Sequence, residues 1–383
     1  MSRAAAALAT VVLLLTAGCG AEGEEPASDP RPSGVAASGD PASDEGAAAV
    51  STPADPTPGD QPTTDQATTA EATSVEPSST GGGEHSAYGL ALLATPEEAT
   101  HLTLTDFDAI RARLGVPELT SQDVMTDRLE FWRAAEASSV LLTDGLLREE
   151  NSRYDLTYDF TQDDVDAEAR WTGPEGAGFL LALRPELDLE LVQTAIDDDA
   201  PGLEGANVDR ATSTVLRGIA SGPVWASNPA MAAVGDIEAE SLIVRKGCVP
   251  FTTALGVDAT VEHQEQILAA HDVEGLLDVE AVAIAFTGMT STVRLAYPEG
   301  PGPDAIETDL AARLALAEDW PTTESIGFAD GFGDGAVSGV GTSVGEVTLT
   351  VTNPGAAANL ALADLVPLGV CADVELLPEP TGL

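Results

Sequence analysis

Asp164-Val165-Asp166-Ala167-Glu168-Ala169-Arg170-Trp171-Thr172-Gly173 reads against Asp278-Val279-Glu280-Ala281-Val282-Ala283-Ile284-Ala285-Phe286-Thr287-Gly288. The second copy carries one extra residue before the aromatic. Both stretches alternate or run apolar and end in a Thr-Gly turn, the pattern of a strand entering a hairpin. Further landmarks keep step. Arg184-Pro185-Glu186 corresponds to Tyr297-Pro298-Glu299, and Ser227-Asn228-Pro229-Ala230 to Thr352-Asn353-Pro354-Gly355. The last pair is offset by roughly twelve more residues, which the Gly-rich stretch Asp330 to Gly345 accounts for as an insertion; internal self-similarity of this kind marks a repeated architecture.

The elements around the landmarks follow the same order. In the first copy, Val165 to Trp171 and Gly178 to Arg184 form a hairpin. A helix from Leu189 to Ile196 follows, with Asp188 as N-cap, and then a strand from Val208 to Arg217. In the second copy, Glu280 to Phe286 and Ser291 to Tyr297 form the hairpin. A helix over Asp304 to Ala317 places Ile306, Leu310 and Leu314 on one face, and a strand over Val347 to Thr352 follows. Asn228-Pro229 and Asn353-Pro354 each open a short helix. Upstream, Asp106 to Leu114 reads as a helix closed by Gly115. Ser121 is placed to cap a second one, on which Met125, Leu129 and Trp132 form the core stripe. A helix from Asp258 to Ala270 leads the second copy. The expectation is an α+β fold: two tandem duplicated β-β-α-β-type units, helices on antiparallel sheet, spanning 87–245 and 246–374, with a tail over 375–383.

The 383 residues hold 64 acids and 16 Lys or Arg, a formal charge of −48, and Lys246 is the one lysine. Phosphate binding needs clustered cations, so nucleic acid is excluded as a partner. The acid excess fits cationic partners, metal ions, or solubility through self-repulsion. From Gly20 to Ser86 the chain is rich in Pro, Ser, Thr, Ala, Gly and acid, with Val35, Val50 and Val75 as its only larger aliphatics. Such a segment buries too little apolar area to offset its chain entropy, so 19–86 is expected to be a disordered linker.

Arg3 precedes an apolar run from Ala4 to Leu15, about 18 Å as a helix, too short for a bilayer core. Thr16-Ala17-Gly18-Cys19 follows at once. These residues resemble the lipobox of bacterial lipoproteins, although Thr16 stands where that family favours leucine. The resemblance covers about the first twenty residues. It implies a signal peptide over 1–18, cleavage before Cys19, and a diacylglyceryl group on its thiol. Two acyl chains give stable anchoring where one is marginal. An extracytoplasmic address, lipid-anchored to the cell membrane, follows as the expected localisation. In that oxidising setting Cys248 and Cys371 are expected to pair, two free buried thiols being the alternative.

Searches for chemistry return little. Gly341-Thr342-Ser343-Val344-Gly345 matches the nucleophile-elbow pattern, but a strand follows it and His85, His101, His263 and His271 all precede it. His263 and His271 are about 12 Å apart along a helix. Asp163-Asp164, Asp197-Asp198-Asp199 and the single Asp330-Gly331/Asp334-Gly335 run lack calcium-loop spacing. No phosphate loop or dinucleotide fingerprint occurs, and no cofactor is expected. The expected function is a non-catalytic, lipid-anchored surface protein that binds a small molecule, a wall component or an envelope protein. A groove between the copies is the natural site, with Asn228 and Asn353 as candidates to line it, although Asn-Pro is equally a capping signal. The alternatives are a structural or assembly component of the envelope and, behind it, a metal-dependent enzyme.

Overall fold

The computed structural model describes residues 86–377, except 175 and 219–221. The signal segment, Cys19, the linker up to 85 and the tail from 378 lie outside the described residues. Chain order begins with α1 (Ala87–Ala94), β1 (His101–Asp106), α2 (Phe107–Leu114), α3 (Met125–Ser138), α4 (Asn151–Tyr158), β2 (Val165–Gly173), β3 (Gly176–Leu183) and α5 (Leu189–Asp197). It continues with β4 (Asn207–Asp209), β5 (Thr214–Arg217), α6 (Pro229–Gly235), β6 (Ser241–Lys246), α7 (Phe251–Leu255), α8 (Val261–Ala270), β7 (Ala281–Thr287) and β8 (Thr290–Ala296). It ends with α9 (Pro303–Glu318), α10 (Phe328–Gly331), β9 (Phe332–Val340), β10 (Val344–Val351) and α11 (Pro354–Leu362). Helices and antiparallel strands together make an α+β fold.

All ten strands form one antiparallel sheet in the order β4-β5-β3-β2-β1-β6-β7-β8-β10-β9. Its two halves meet at β1 and β6, which pair antiparallel with Leu102 opposite Val244 and Leu104 opposite Leu242. Outward from that seam each half adds strands in the same order: a hairpin, then the last strand of the half, then the one before it. The division expected after residue 245 falls inside β6, which pairs with β1 on one side and β7 on the other.

Side-chain alternation sorts the core onto the two faces. In β7, Val282, Ile284 and Phe286 enter one core with α9 and α11, and Ala281, Ala283 and Ala285 enter another with α1 and α6. The first face is thickly covered: α2 to α5 over the first half, α9 and α11 over the second. The opposite face carries α1 and α6 near its middle. A satellite core of Phe251, Leu255, Ile267, Leu316 and Trp320 sits by the Cys248–Cys371 disulfide, whose Cα atoms are 5.0 Å apart.

Several local expectations change. The single strand read over 208–217 is the hairpin β4–β5, turned by Ser213 at φ 51°. The Gly-rich insertion forms the edge strand β9 and its turn into β10. Ser121 does not cap α3: Val124 stands at that position, with no side-chain cap. Of the expected stripe Trp132 is buried, while Met125 and Leu129 are 54% and 46% exposed and Arg128, Phe131 and Ala135 complete the buried face. The Arg128 guanidinium reaches Asp163 under the helix at 3.4 Å, which turns an arginine into the buried face.

Candidate functional site

At the seam, on the thinly covered face, α1 and α6 border a cleft of about 1000 Å³. Leu104 of β1 and Leu242 of β6 line it, one from each half. Tyr88, Gly89 and Leu92 line it from α1, and Ala232 and Gly235 from α6. Residues 236–240, between α6 and β6, complete the rim. Tyr88 fixes the two walls: its hydroxyl donates to the Met231 carbonyl at 2.6 Å, and its ring lies on the Gly235 backbone where a Cβ would collide. Burial pushes the Tyr88 phenol upward, so it stays protonated as that donor.

Apart from Arg113, the charged side chains of the lining are carboxylates. Asp106 caps α2, accepting from the Ala109 amide at 2.9 Å, and burial raises its carboxyl above the usual range. Glu240, 3% exposed, pairs with Arg113 and accepts the Gly288 amide at 3.2 Å. Arg113 spends its other donors on the Ser138 carbonyl and the Ser139 hydroxyl. That pair cancels itself. Asp236 and Glu238 are exposed on the rim, and no ion pair involves either among the described residues. The cleft combines an apolar floor with a surplus of carboxylate, an environment for a molecule with an apolar body and a cationic group.

Asn228 and Asn353 are not brought together. Each is an N-cap: the Asn228 side chain accepts from Ala230 and Met231, the Asn353 side chain from Ala356. The helices they cap lie against opposite faces of the sheet. Asn228 borders a separate recess with Lys246 and Glu280. Sequence spacing equated the two residues correctly as helix starts, but could not show which face each helix would cross.

The other sequence candidates are structural. Asp164 accepts the Thr161 and Ser121 amides, and Asp163 accepts Trp132 Nε1 at 2.9 Å. Asp330 caps α10. Ser343 lies in the β9–β10 turn, its carbonyl accepting from the Tyr297 amide. His263 accepts from the Thr260 amide at its own helix start, and His271 meets Asp319 at 3.0 Å. His101 sits between Asp364 and Thr100, the outline of a nucleophile triad. Arg245 stands 2.8 Å from the same Nε2 and pairs with Asp364, so a guanidinium already engages the carboxylate of that trio. Among the described residues no group of three or more His, Cys, Asp or Glu is placed to hold a metal ion.

The residues that make the cleft were missed at the sequence level. Leu102 and Leu104 alternate with Thr103 and Thr105 just before α2, a period-two signal that identifies β1. Comparison with protein-family models, with curated proteins and with solved structures finds no match.

Proposed function

We propose that this protein is a lipid-anchored, extracytoplasmic binding protein whose seam cleft takes a small amphipathic molecule bearing a cationic group. The cleft carries the reading: both halves line it, its floor is leucine, and its uncompensated charges are the carboxylates of Asp106, Asp236 and Glu238. The lipobox-like Thr16-Ala17-Gly18-Cys19 supports the anchor, and the linker to 86 would hold the body away from the membrane. Among the described residues no helix is long and apolar enough to cross a membrane.

Thermal unfolding against three ligands of one chain length, octylammonium, octanoate and octanol, tests the cleft. A ligand that favours the native state raises the midpoint. Octylammonium is expected to raise it, octanoate not, and Asp236→Asn with Glu238→Gln to remove the difference. Equal shifts from all three would leave only unspecific apolar binding and overturn the charge reading. Replacing Cys19 by Ala is expected to move the protein from the membrane fraction to the soluble one.

A further inference from the structure

The sheet has two edges of very different length. β4 closes one with three residues, and β9 forms the other with nine. Long edges are normally blunted by proline, lysine or a covering element, since their free N–H and C=O groups template a further strand. β9 reads Phe332-Gly333-Asp334-Gly335-Ala336-Val337-Ser338-Gly339-Val340, with neither proline nor lysine. Asp334, Gly335, Ala336 and Ser338 are exposed.

The ladder shows which backbone groups are free. The Tyr297 amide donates to Ser343 and the Val351 amide to Met289, so odd-numbered residues of β10 face β8. Even-numbered ones face β9, as the Thr352 amide does in donating to Gly331. Ala336, opposite Thr348, thus spends its backbone on β10, while Gly335 and Val337, opposite Leu349 and Val347, turn theirs outward. Among the described residues nothing accepts or donates there. Register shifts bound the stretch on both sides, so the regular window is short.

The surroundings of that window are acidic. Leu314 of α9 packs on Gly335, which sets the helix stripe beside β9. Glu307 and Glu318, seven residues before and four after Leu314, share the stripe and are exposed. They place two carboxylates beside the face of the edge that carries Gly335 and Val337, and Asp334 adds a third on the other face. We propose that β9 is a docking edge that accepts an extended, basic peptide segment of a partner protein by strand addition around Gly335–Val337. Main-chain bonds would provide the affinity, and Glu307 and Glu318 the preference for Lys or Arg at the alternate positions that face α9. A second copy of this chain would bring the same carboxylates and is disfavoured by its net charge of −48.

The test uses the full chain and three synthetic nonapeptides: alternating Arg-Val, alternating Glu-Val, and the Arg-Val peptide with its central Val replaced by Pro. Fluorescence anisotropy gives the affinity, and amide hydrogen exchange locates the contact. The Arg-Val peptide is expected to bind and to slow exchange at Gly335 and Val337. The Glu-Val peptide should not bind, and the Pro peptide at least tenfold more weakly. Val337→Pro, which removes an outward donor, should abolish the protection at Gly335, whereas Val337→Ala, which loses packing on the core but keeps the donor, should retain it. Glu307→Lys with Glu318→Lys, both exposed, should weaken binding at least fivefold without touching the strand. Equal binding of the Pro peptide would reduce the effect to charge attraction and overturn strand addition. Protection of the edge by concentration-dependent self-association, without peptide, would overturn the choice of partner.

Discussion

The first half of the sheet and the second share a strand order but not a way of returning the chain. After β5, α6 crosses the thinly covered face and packs on β6, β7 and β8, strands of the other half. After β10, α11 packs on the opposite face, beside α10 and α3. The difference lies in side-chain size on β7. Ala281, Ala283 and Ala285 leave room for α6 to lie close, while Val282, Ile284 and Phe286 fill the other face. The first half thus completes its fold on an alanine stripe that belongs to the second. Repeating a strand order does not repeat a core, and two halves of like topology interlock rather than simply adjoin.

The strongest way to break this comparison is to separate the halves. Residues 86–240 and 241–377, each made alone, are expected to lose the cooperative thermal transition of the whole. Each would expose one strand of the seam and one part of the shared core. A cooperative melt of either piece would show the halves to be independent.

Each half is also locked by a buried arginine, and the second lock is the tighter. Arg313, fully buried, pairs with Asp309 at 2.7 Å and donates to the carbonyls of Leu277, Leu368 and Val370. Asp309 also accepts from Tyr297 at 2.8 Å and from the Leu277 amide. Arg313→Met is expected to cost about 3–5 kcal/mol in urea unfolding, because it leaves a buried carboxylate unpaired. Arg111, which bonds the Asp163 and Val165 carbonyls and the half-buried Asp166, should cost less when replaced by Met. Opening the disulfide with Cys248→Ser and Cys371→Ser should cost about 2–5 kcal/mol and raise hydrogen exchange around Val249 and Val370 first.

Smaller changes sharpen the contrast between the faces. Gly235→Ala would force a Cβ into the Tyr88 ring, and Gly331→Ala into Leu360 and the Ala357 backbone. Each should cost about 1–3 kcal/mol by overpacking. Only Gly235→Ala should disturb α1 and ligand binding in the cleft.

The smallest effect is one of pH. Burial, outweighing the nearby Arg111, lifts the Asp166 carboxyl to about 6. The folded chain therefore keeps a proton there that an unfolded Asp, at roughly 4, has lost. The stability this group contributes is complete below about pH 4 and is lost as pH rises to about 6. Asp166→Asn should reduce the difference in melting midpoint between pH 4 and pH 7 relative to the parent chain. An unchanged difference would place the carboxyl at its ordinary value.

Part of this was legible in local sequence. The hairpins β2–β3 and β7–β8, α5 with its Asp188 cap, α9 with Ile306 and Leu310, and the Asn228 and Asn353 helix starts follow from periodicity and capping chemistry. Those signals act within a few residues, so a sequence displays them. The joining of β1 to β6, the opposite faces taken by α6 and α11, the inward Arg128 and the cleft over Leu104 and Leu242 depended on tertiary structure. Those features rest on which surfaces from distant parts of the chain meet. There a row of alanines decides where a helix fits, and a buried carboxylate decides which way an arginine turns.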